Sequence, residues 1–328
     1  MLILNAVEVR QALPMGECVA AMKKAYAALS AGKAEVPLRM RLPVKPNSGL
    51  SIVMPAFVDD AAGQALAVKI VSLFENNPPK GLPFIHAGVI VLNPETGAVE
   101  ALLEGGSLTA IRTGAGAGVA TDVLARKDAK TVAIFGAGVQ ARTQLAAVCE
   151  VRDIQNAWIY DTNPEQVKIF IAEMAGQDRI PKALRSAHNS TEAVLEADII
   201  STATTSKTPV FIDSDLKPGV HVNGVGSYTL EMQEIPADTV TRARVTVDSR
   251  SAAQVESGDI ANPLQKGILK EAEIAEIGEV ISGEKLGRGS PDQITLFKSV
   301  GVAVQDAMAA QLAVNNARKL GLGTQVAW

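Results

Sequence analysis

"TVAIFGAGVQARTQL", residues 131–145, is the stretch whose reading decides the fold. A short apolar run ends in Gly-Ala-Gly, and a run with helical spacing follows at once. A GxGxx(G/A) pattern alone is a weak sign of nucleotide binding, so its context carries the argument. Gly136 permits the tight turn out of a strand, and Gly138 lets a pyrophosphate approach the backbone. Ala141 lets the helix pack close to the sheet. Val139 and Gln140 open the helix, whose free N–H groups and positive dipole end would face phosphates. A second strand-like run, "NAWIYDTN", ends in Asp161 and Thr162, with the acid 25 residues past Gly136. A carboxylate there accepts hydrogen bonds from ribose hydroxyls and repels a 2′-phosphate, and no arginine directly follows. NAD is therefore expected over NADP. The alternative is a ligand-free strand–helix turn. Strand, glycines, helix and acid in one line argue against it.

Downstream, strand-like and helix-like segments alternate: "PEQVKIFIAEMAG", "TEAVLEADIISTATT", "GVHVNGVG", "RVTVDS". That is the βαβ rhythm of a doubly wound parallel sheet, and the chain reads as α/β. In such a sheet the carboxyl ends of strands face the cofactor crevice. Thr202, Ala203 and Thr204 in "STATTS", and Val225, Gly226 and Ser227 in "VNGVGS", follow apolar runs and are expected there. The bland reading of both is loop punctuation. Upstream, "TGAGAG" (113–118) has more glycine but no strand before it. It reads as a helix face packing close to another backbone, with cofactor contact as the other reading.

The first third differs. A helical run ("PMGECVAAMKKAYAALSAGK") leads into "LRMRLPV", "GLSIVMPAFV", "ALAVKIVSLF" and "FIHAGVIVLN", strand-like runs parted by turns. "LNPETGAVEALLE" reads as a hairpin, and a mainly antiparallel sheet is expected. Residues 295–319 read as one further helix.

The chain has 328 residues, 47% hydrophobic and 20% charged, with a net charge of −4, so a sizeable core is available and no basic block points to nucleic acid or membrane. Aromatics make up 4%, too few for a base-stacking platform. Cys18 and Cys149 read as buried free thiols, and His86, His188 and His221 show no metal-ligand spacing, so no metal is expected. No run is long and apolar enough for a membrane span or a signal peptide, and a cytoplasmic protein is the expectation.

A bound nicotinamide implies hydride transfer, which needs a positioned substrate. Basic residues inside apolar runs are the candidates to position it: Arg39 in "VPLRMRLPV", Lys69 in "ALAVKIVSLF" and Arg112 in "LTAIRTG". A buried lysine needs an anionic partner. For Lys69 that is a substrate carboxylate, or an internal acid such as Glu75 or Glu104; Arg39 alone also fits a solvated strand position. His86 alternates with apolar residues, as a core or interface histidine or as a proton carrier.

The sequence resembles the ornithine cyclodeaminase/μ-crystallin family nearly end to end, in "VMPAFV", "KIVSLFENNPPKGLP", "LEGGSLTAIRTGAGAGVATDVLAR", "FGAGVQA", "DSRSAAQVESGDI" and "TLFKSVGVAVQDAMAA". The resemblance implies a homodimer. It also implies a substrate and dimerisation domain (1–118 with 304–328) and a Rossmann domain (119–303). Arg39, Lys69 and Arg112 would clamp a substrate carboxylate. Thr113, Gly138, Val139, Gln140 and Asp161, with Arg112 beside them, would hold the dinucleotide, and Lys298 and Ser299 would lie near its nicotinamide end. Cyclodeaminases of this family carry an aspartate after "GVG" that handles protons. Here that position is Tyr228, a poor base with an ordinary pKa of about 10. The resemblance therefore implies an imine or ketimine reductase or an amino-acid dehydrogenase. Its substrate would be a small imino, amino or 2-oxo acid. Tyr228 would be a proton or hydrogen-bond donor, or a loop tyrosine over the cofactor. The alternatives are a cyclodeaminase releasing ammonia and a μ-crystallin-like binding protein.

Overall fold

The computed structural model describes residues 1–60 and 63–327. Residues 61, 62 and 328, which the expected first domain includes, lie outside the described residues. The chain forms two units, one from Met1 to Arg112 joined by the chain from Val302 onward, the other Thr113–Gly301. The boundaries fall at 112/113 and 301/302, where the resemblance implied 118/119 and 303/304.

In the first unit, strands Gly49–Asp60 and Gly63–Phe74 pair antiparallel along their full length. Ile85–Leu92 and Val99–Glu104 continue the sheet antiparallel, and the short strand Leu2–Leu4 joins it parallel to Val99–Glu104. The side-chain period of two gives this sheet a buried face of Ile52, Met54, Ala56 and Val58 with Ala65, Ala67 and Lys69. Helices Met15–Ser30 and Ala303–Leu320 cover that face. The helix contributes Ala307, Ala310 and Ala313 to the interior, and small residues on both surfaces allow close approach.

The second unit is an all-parallel sheet with spatial order Leu184–Ser186, Asn156–Tyr160, Thr131–Phe135, Ile199–Thr202, His221–Gly224, Thr295–Lys298, Arg244–Val247, Ala275–Glu276. Strand order reverses between Thr131–Phe135 and Ile199–Thr202, the switch point of a doubly wound sheet. Thr131–Phe135 is buried along its whole length, as a central parallel strand with both faces covered must be.

One expectation is corrected. Residues 295–319 are not one helix: Thr295–Lys298 is a strand of the parallel sheet, and the helix starts at Ala303. Gly301, at φ 80°, turns the chain between them. All four strand residues are buried, so the run has no amphipathic face to separate strand from helix. The glycine-rich stretch 113–118 lies within the helix Gly105–Leu124. A Cβ on Gly114 would lie 2.4 Å from the Thr143 carbonyl oxygen, so glycine is what lets this helix pack against Val139–Val151.

Both cysteines are free and buried, and burial pushes each thiol up to about 12. Among the described residues no helix is long and apolar enough to cross a membrane.

His221 is fully buried in the parallel sheet, between the Thr295 hydroxyl (2.9 Å) and the Asn223 side-chain oxygen (3.0 Å). Burial pulls its pKa from 6.5 down to about 3, so it is neutral when folded and takes a proton on unfolding at mildly acid pH. Between those two values the unfolded chain holds the extra proton, so stability rises with pH, by up to about 1.4 kcal/mol per unit. Urea unfolding between pH 6 and pH 4 is expected to show this slope in the wild type and to lose it in His221→Gln. Equal slopes in the two proteins would contradict the assignment.

Candidate active site

Two sets of residues carry chemistry, one in each unit. In the parallel-sheet unit a cleft of about 450 Å³ opens at the switch point. Gly136–Gly138 on one side and Ala203–Ser206 on the other form its walls, with Asp161 and Thr162 at its rim. Gly136 sits at φ 95°, and a Cβ there would lie 2.7 Å from the Ala203 carbonyl oxygen. This glycine is required by the fold itself. Gly138 is different: its φ of −84° and ψ of −171° suit any residue, and a Cβ there meets nothing within 4 Å. The chain does not need glycine at 138, whereas a ligand lying on the backbone does. Val139 and Gln140 start the helix Val139–Val151, whose first N–H groups have no intrahelical acceptor. Thr113 lies in the helix Gly105–Leu124, and its carbonyl accepts from the Gln144 side chain at 3.4 Å.

Asp161 has a second role that its position in the sequence does not reveal. Its Oδ2 accepts from the Ala137 N–H (2.8 Å) and its Oδ1 from the Asn163 N–H (2.8 Å). It therefore anchors the glycine loop to the end of the second strand, and each oxygen keeps lone-pair capacity for a ribose diol. The open cradle at Gly138, the helix N-terminus and the rim carboxylate fit an NAD-type dinucleotide.

Of the strand-end residues expected at the crevice, Ala203 and Thr204 line the cleft, while the loops carry an unexpected internal partner. Glu234, fully buried, accepts from the Thr204 N–H (2.6 Å) and hydroxyl (2.8 Å), and from the N–H groups of Gly226 (2.7 Å) and Ser227 (3.1 Å). Those four donors, expected to serve a cofactor, are committed to an internal carboxylate. Thr202 is buried, and its neighbour Val225 donates its N–H to the Thr202 carbonyl (3.0 Å). Lys298 is fully buried, 3.5 Å from Asp259. The Ser299 hydroxyl donates to Asp248 (2.7 Å), which also accepts from the N–H groups of Val300 and Gly301. Tyr228 is half-buried on the loop after His221–Gly224.

In the other unit the structure brings Lys69 and Arg112 together on one carboxylate. Lys69 Nζ lies 2.7 Å from Asp306, and Arg112 Nε lies 2.9 Å from the other oxygen of the same group. Arg112 also donates to Gln305 Oε1 (2.8 Å), and Gln305 donates to the Tyr26 hydroxyl (2.7 Å). Lys69 is 2% exposed, and burial first, then repulsion by Arg112, pulls its ammonium down to about 8; Asp306 opposes this, and Arg39 adds to it. Arg39 is half-buried and close enough for its charge to act on Lys69. Two buried cations thus share one acid, leaving a surplus of positive charge in a poorly solvated place.

The internal acid beside Lys69 is neither Glu75, which is exposed, nor Glu104, which accepts from the Gly106 and Ser107 N–H groups at the start of the next helix. It is Asp306, from the last helix, a partner that sequence reasoning missed. The one signal for it was an acid set in the otherwise apolar run "VGVAVQDAMAA". His86 is corrected too. It pairs with Ser72, while Lys69 pairs with Val89, so the register puts His86 on the opposite face of the sheet from Lys69. It is exposed, not in the core of this chain, and is not brought to the cationic cluster.

A doubly wound sheet with a glycine loop, an acid at the end of the second strand and a switch-point cleft defines a dinucleotide-binding fold. The model of the ornithine cyclodeaminase/mu-crystallin family matches residues 1–320, and the chain belongs to that family. It is 39% identical to a Delta(1)-pyrroline-2-carboxylate reductase of Bacillus cereus, over 99% of both chains. A solved structure of the Thermococcus litoralis Delta(1)-pyrroline-2-carboxylate reductase, in complex with NADH and L-proline, superposes with a TM-score of 0.93 at 43% identity, covering 99% of this chain and 100% of that one. An archaeal alanine dehydrogenase dimer with bound NAD has a TM-score of 0.91 at 32% identity, over 100% and 99% of the two chains.

Proposed function

We propose that this protein is an NAD(H)-dependent oxidoreductase that reduces the C=N bond of a 2-imino acid to give an amino acid. Cyclic ketimine carboxylates such as pyrroline-2-carboxylate are its first candidate substrates. The observation that carries this reading is the buried surplus of cations: Lys69 and Arg112 share the single carboxylate Asp306, and the charge of Arg39 also reaches Lys69. Such a place attracts an anion, and its fixed donors orient a carboxylate without reorganising. NADH, when bound, supplies the hydride. Lys69 Nζ and the Arg112 guanidinium hold the carboxylate next to the carbon that is reduced, and Asp306 keeps both cations in place. The relatives reduce an imino acid or oxidise an amino acid, which supports the same chemistry here. A homodimer working in the cytoplasm completes the reading, with the dimeric alanine dehydrogenase as its support.

The test is NADH oxidation at 340 nm with pyrroline-2-carboxylate, piperideine-2-carboxylate and a panel of 2-oxo acids with ammonia. Consumption with one class supports the reading and names the pocket's preference. Ammonia release from ornithine or lysine with only catalytic NAD would replace it by cyclodeamination.

The proposed preference for NAD has its own test. Asp161→Ser combined with Thr162→Arg is expected to shift the ratio of NADPH to NADH affinity by about tenfold toward NADPH. Affinity for both should also fall, because Ala137 loses its acceptor. An unchanged ratio would show that the ribose is held elsewhere.

A further inference from the structure

A second buried charge cluster lies behind the cleft wall: Glu234, Asp259 and Lys298, all fully buried. Glu234 stands between two loops that leave adjacent parallel strands, Ile199–Thr202 and His221–Gly224. One of its oxygens takes both donors of Thr204; the other takes the N–H groups of Gly226 and Ser227. The loops touch so closely that a Cβ on Gly226 would lie 2.1 Å from the Thr204 carbonyl oxygen. Burial, and with it the charge of Asp259, raises the Glu234 carboxyl above its usual range; the Lys298 ammonium and the Thr204 donors oppose this, and four donors suit an ionised acceptor best. Lys298 supplies the counter-charge: its ammonium acts on Glu234 and lies 3.5 Å from Asp259. Asp259 in turn fixes the backbone of the segment carrying Glu234, accepting from the N–H groups of Glu234 (2.8 Å) and Ile235 (3.0 Å).

Thr204 is a cleft-wall residue, so whatever holds its backbone sets the width of the cleft. We propose that Glu234 is a positioning residue for the dinucleotide: by pinning Thr204 to Gly226 and Ser227, it holds the cleft wall facing the glycine loop in its binding position. Lys298 serves it as a buried counter-ion and does not itself hold the ligand. The inference rests on the dinucleotide reading of the cleft.

The experiment is NADH titration by fluorescence on wild type, Glu234→Gln, Lys298→Met and the double variant, with melting temperature and KM for the imino acid measured alongside. The glutamine keeps the size of the side chain but turns an NH2 toward two N–H donors. NADH Kd is expected to rise about tenfold while KM for the imino acid stays within about twofold. Lys298→Met is expected to weaken NADH binding in the wild-type background and to add little once Glu234 is replaced. Thr204→Val, which removes the hydroxyl's bond to Glu234 and its bond from the Ser206 N–H and leaves the charges in place, is expected to raise NADH Kd about threefold even if the glutamine variant does not fold. Wild-type Kd in Glu234→Gln or Thr204→Val would overturn the proposal, as would full additivity of the two charge variants. A wild-type protein that binds no NADH would instead overturn the dinucleotide reading on which the proposal rests.

Discussion

Lys69→Ala is expected to lower kcat/KM for the imino acid by about a thousandfold or more, with NADH Kd changed by less than about threefold. The magnitude follows from burial. Lys69 is 2% exposed, and its ammonium and Arg112 share Asp306. Deleting one partner of a buried, hydrogen-bonded charge pair costs about 2–5 kcal/mol or more, much of it from the charge left unpaired. Here the loss acts twice. The substrate carboxylate loses a direct cation, and Asp306, no longer neutralised by Lys69, repels it. Steady-state kinetics and NADH titration separate the two effects. Equal losses in kcat/KM and NADH affinity would show that Lys69 supports the whole chain and has no special link to the substrate.

The same residue sets a pH limit. The free ammonium is pulled from 10.5 down to about 8, and only the charged form attracts a carboxylate. Below that pH the site is fully cationic. Above it, kcat/KM for the imino acid should fall about tenfold per unit, while kcat, which reports the complex, should fall only at higher pH. Lys69→Arg should remove this limb while retaining part of the activity, because the guanidinium does not titrate in this range.

Gly138→Ser is expected to weaken NADH binding by about thirtyfold or more with no loss of melting temperature. Residue 138 caps the helix Val139–Val151, and serine is a better cap than glycine. Its backbone is ordinary, and a Cβ would meet no atom of the protein within 4 Å. The variant should therefore fold as well as the wild type or better. The added atoms instead fill the space that a pyrophosphate needs next to the backbone. Gly136→Ala makes the contrast. At φ 95°, with the Ala203 carbonyl oxygen 2.7 Å from the new Cβ, it should lose melting temperature and affinity together. Unchanged NADH affinity in Gly138→Ser would place the dinucleotide away from this loop.

The α/β class was legible from the sequence because its signals are local. A strand's period, a glycine turn and the acid ending the next strand lie within about thirty residues of one another, and backbone geometry ties each to the next. The same holds for the hairpin through Asn93–Ala98, where the Asn93 N–H donates to the Ala98 carbonyl. The small residues before the sheet, read as a close-packing face, include Gly114 against the Thr143 carbonyl. Resemblance groups Arg39, Lys69 and Arg112, and in the folded chain the charges of Arg112 and Arg39 both act on Lys69.

Only the tertiary structure decided what those residues are paired with. Asp306 meets Lys69 because the last helix lies on a sheet built from the first third of the chain, and no periodicity links positions so far apart. Glu234 claims the Thr204, Gly226 and Ser227 donors because two loops converge at one end of the parallel sheet, a convergence set by strand order. His86 falls on the face away from Lys69 because hydrogen-bond register sets side-chain parity across strands, and a shift of one residue would reverse it. Thr295–Lys298 is a strand because the sheet places it between His221–Gly224 and Arg244–Val247, where a fully buried run has no amphipathic pattern of its own to show which element it forms.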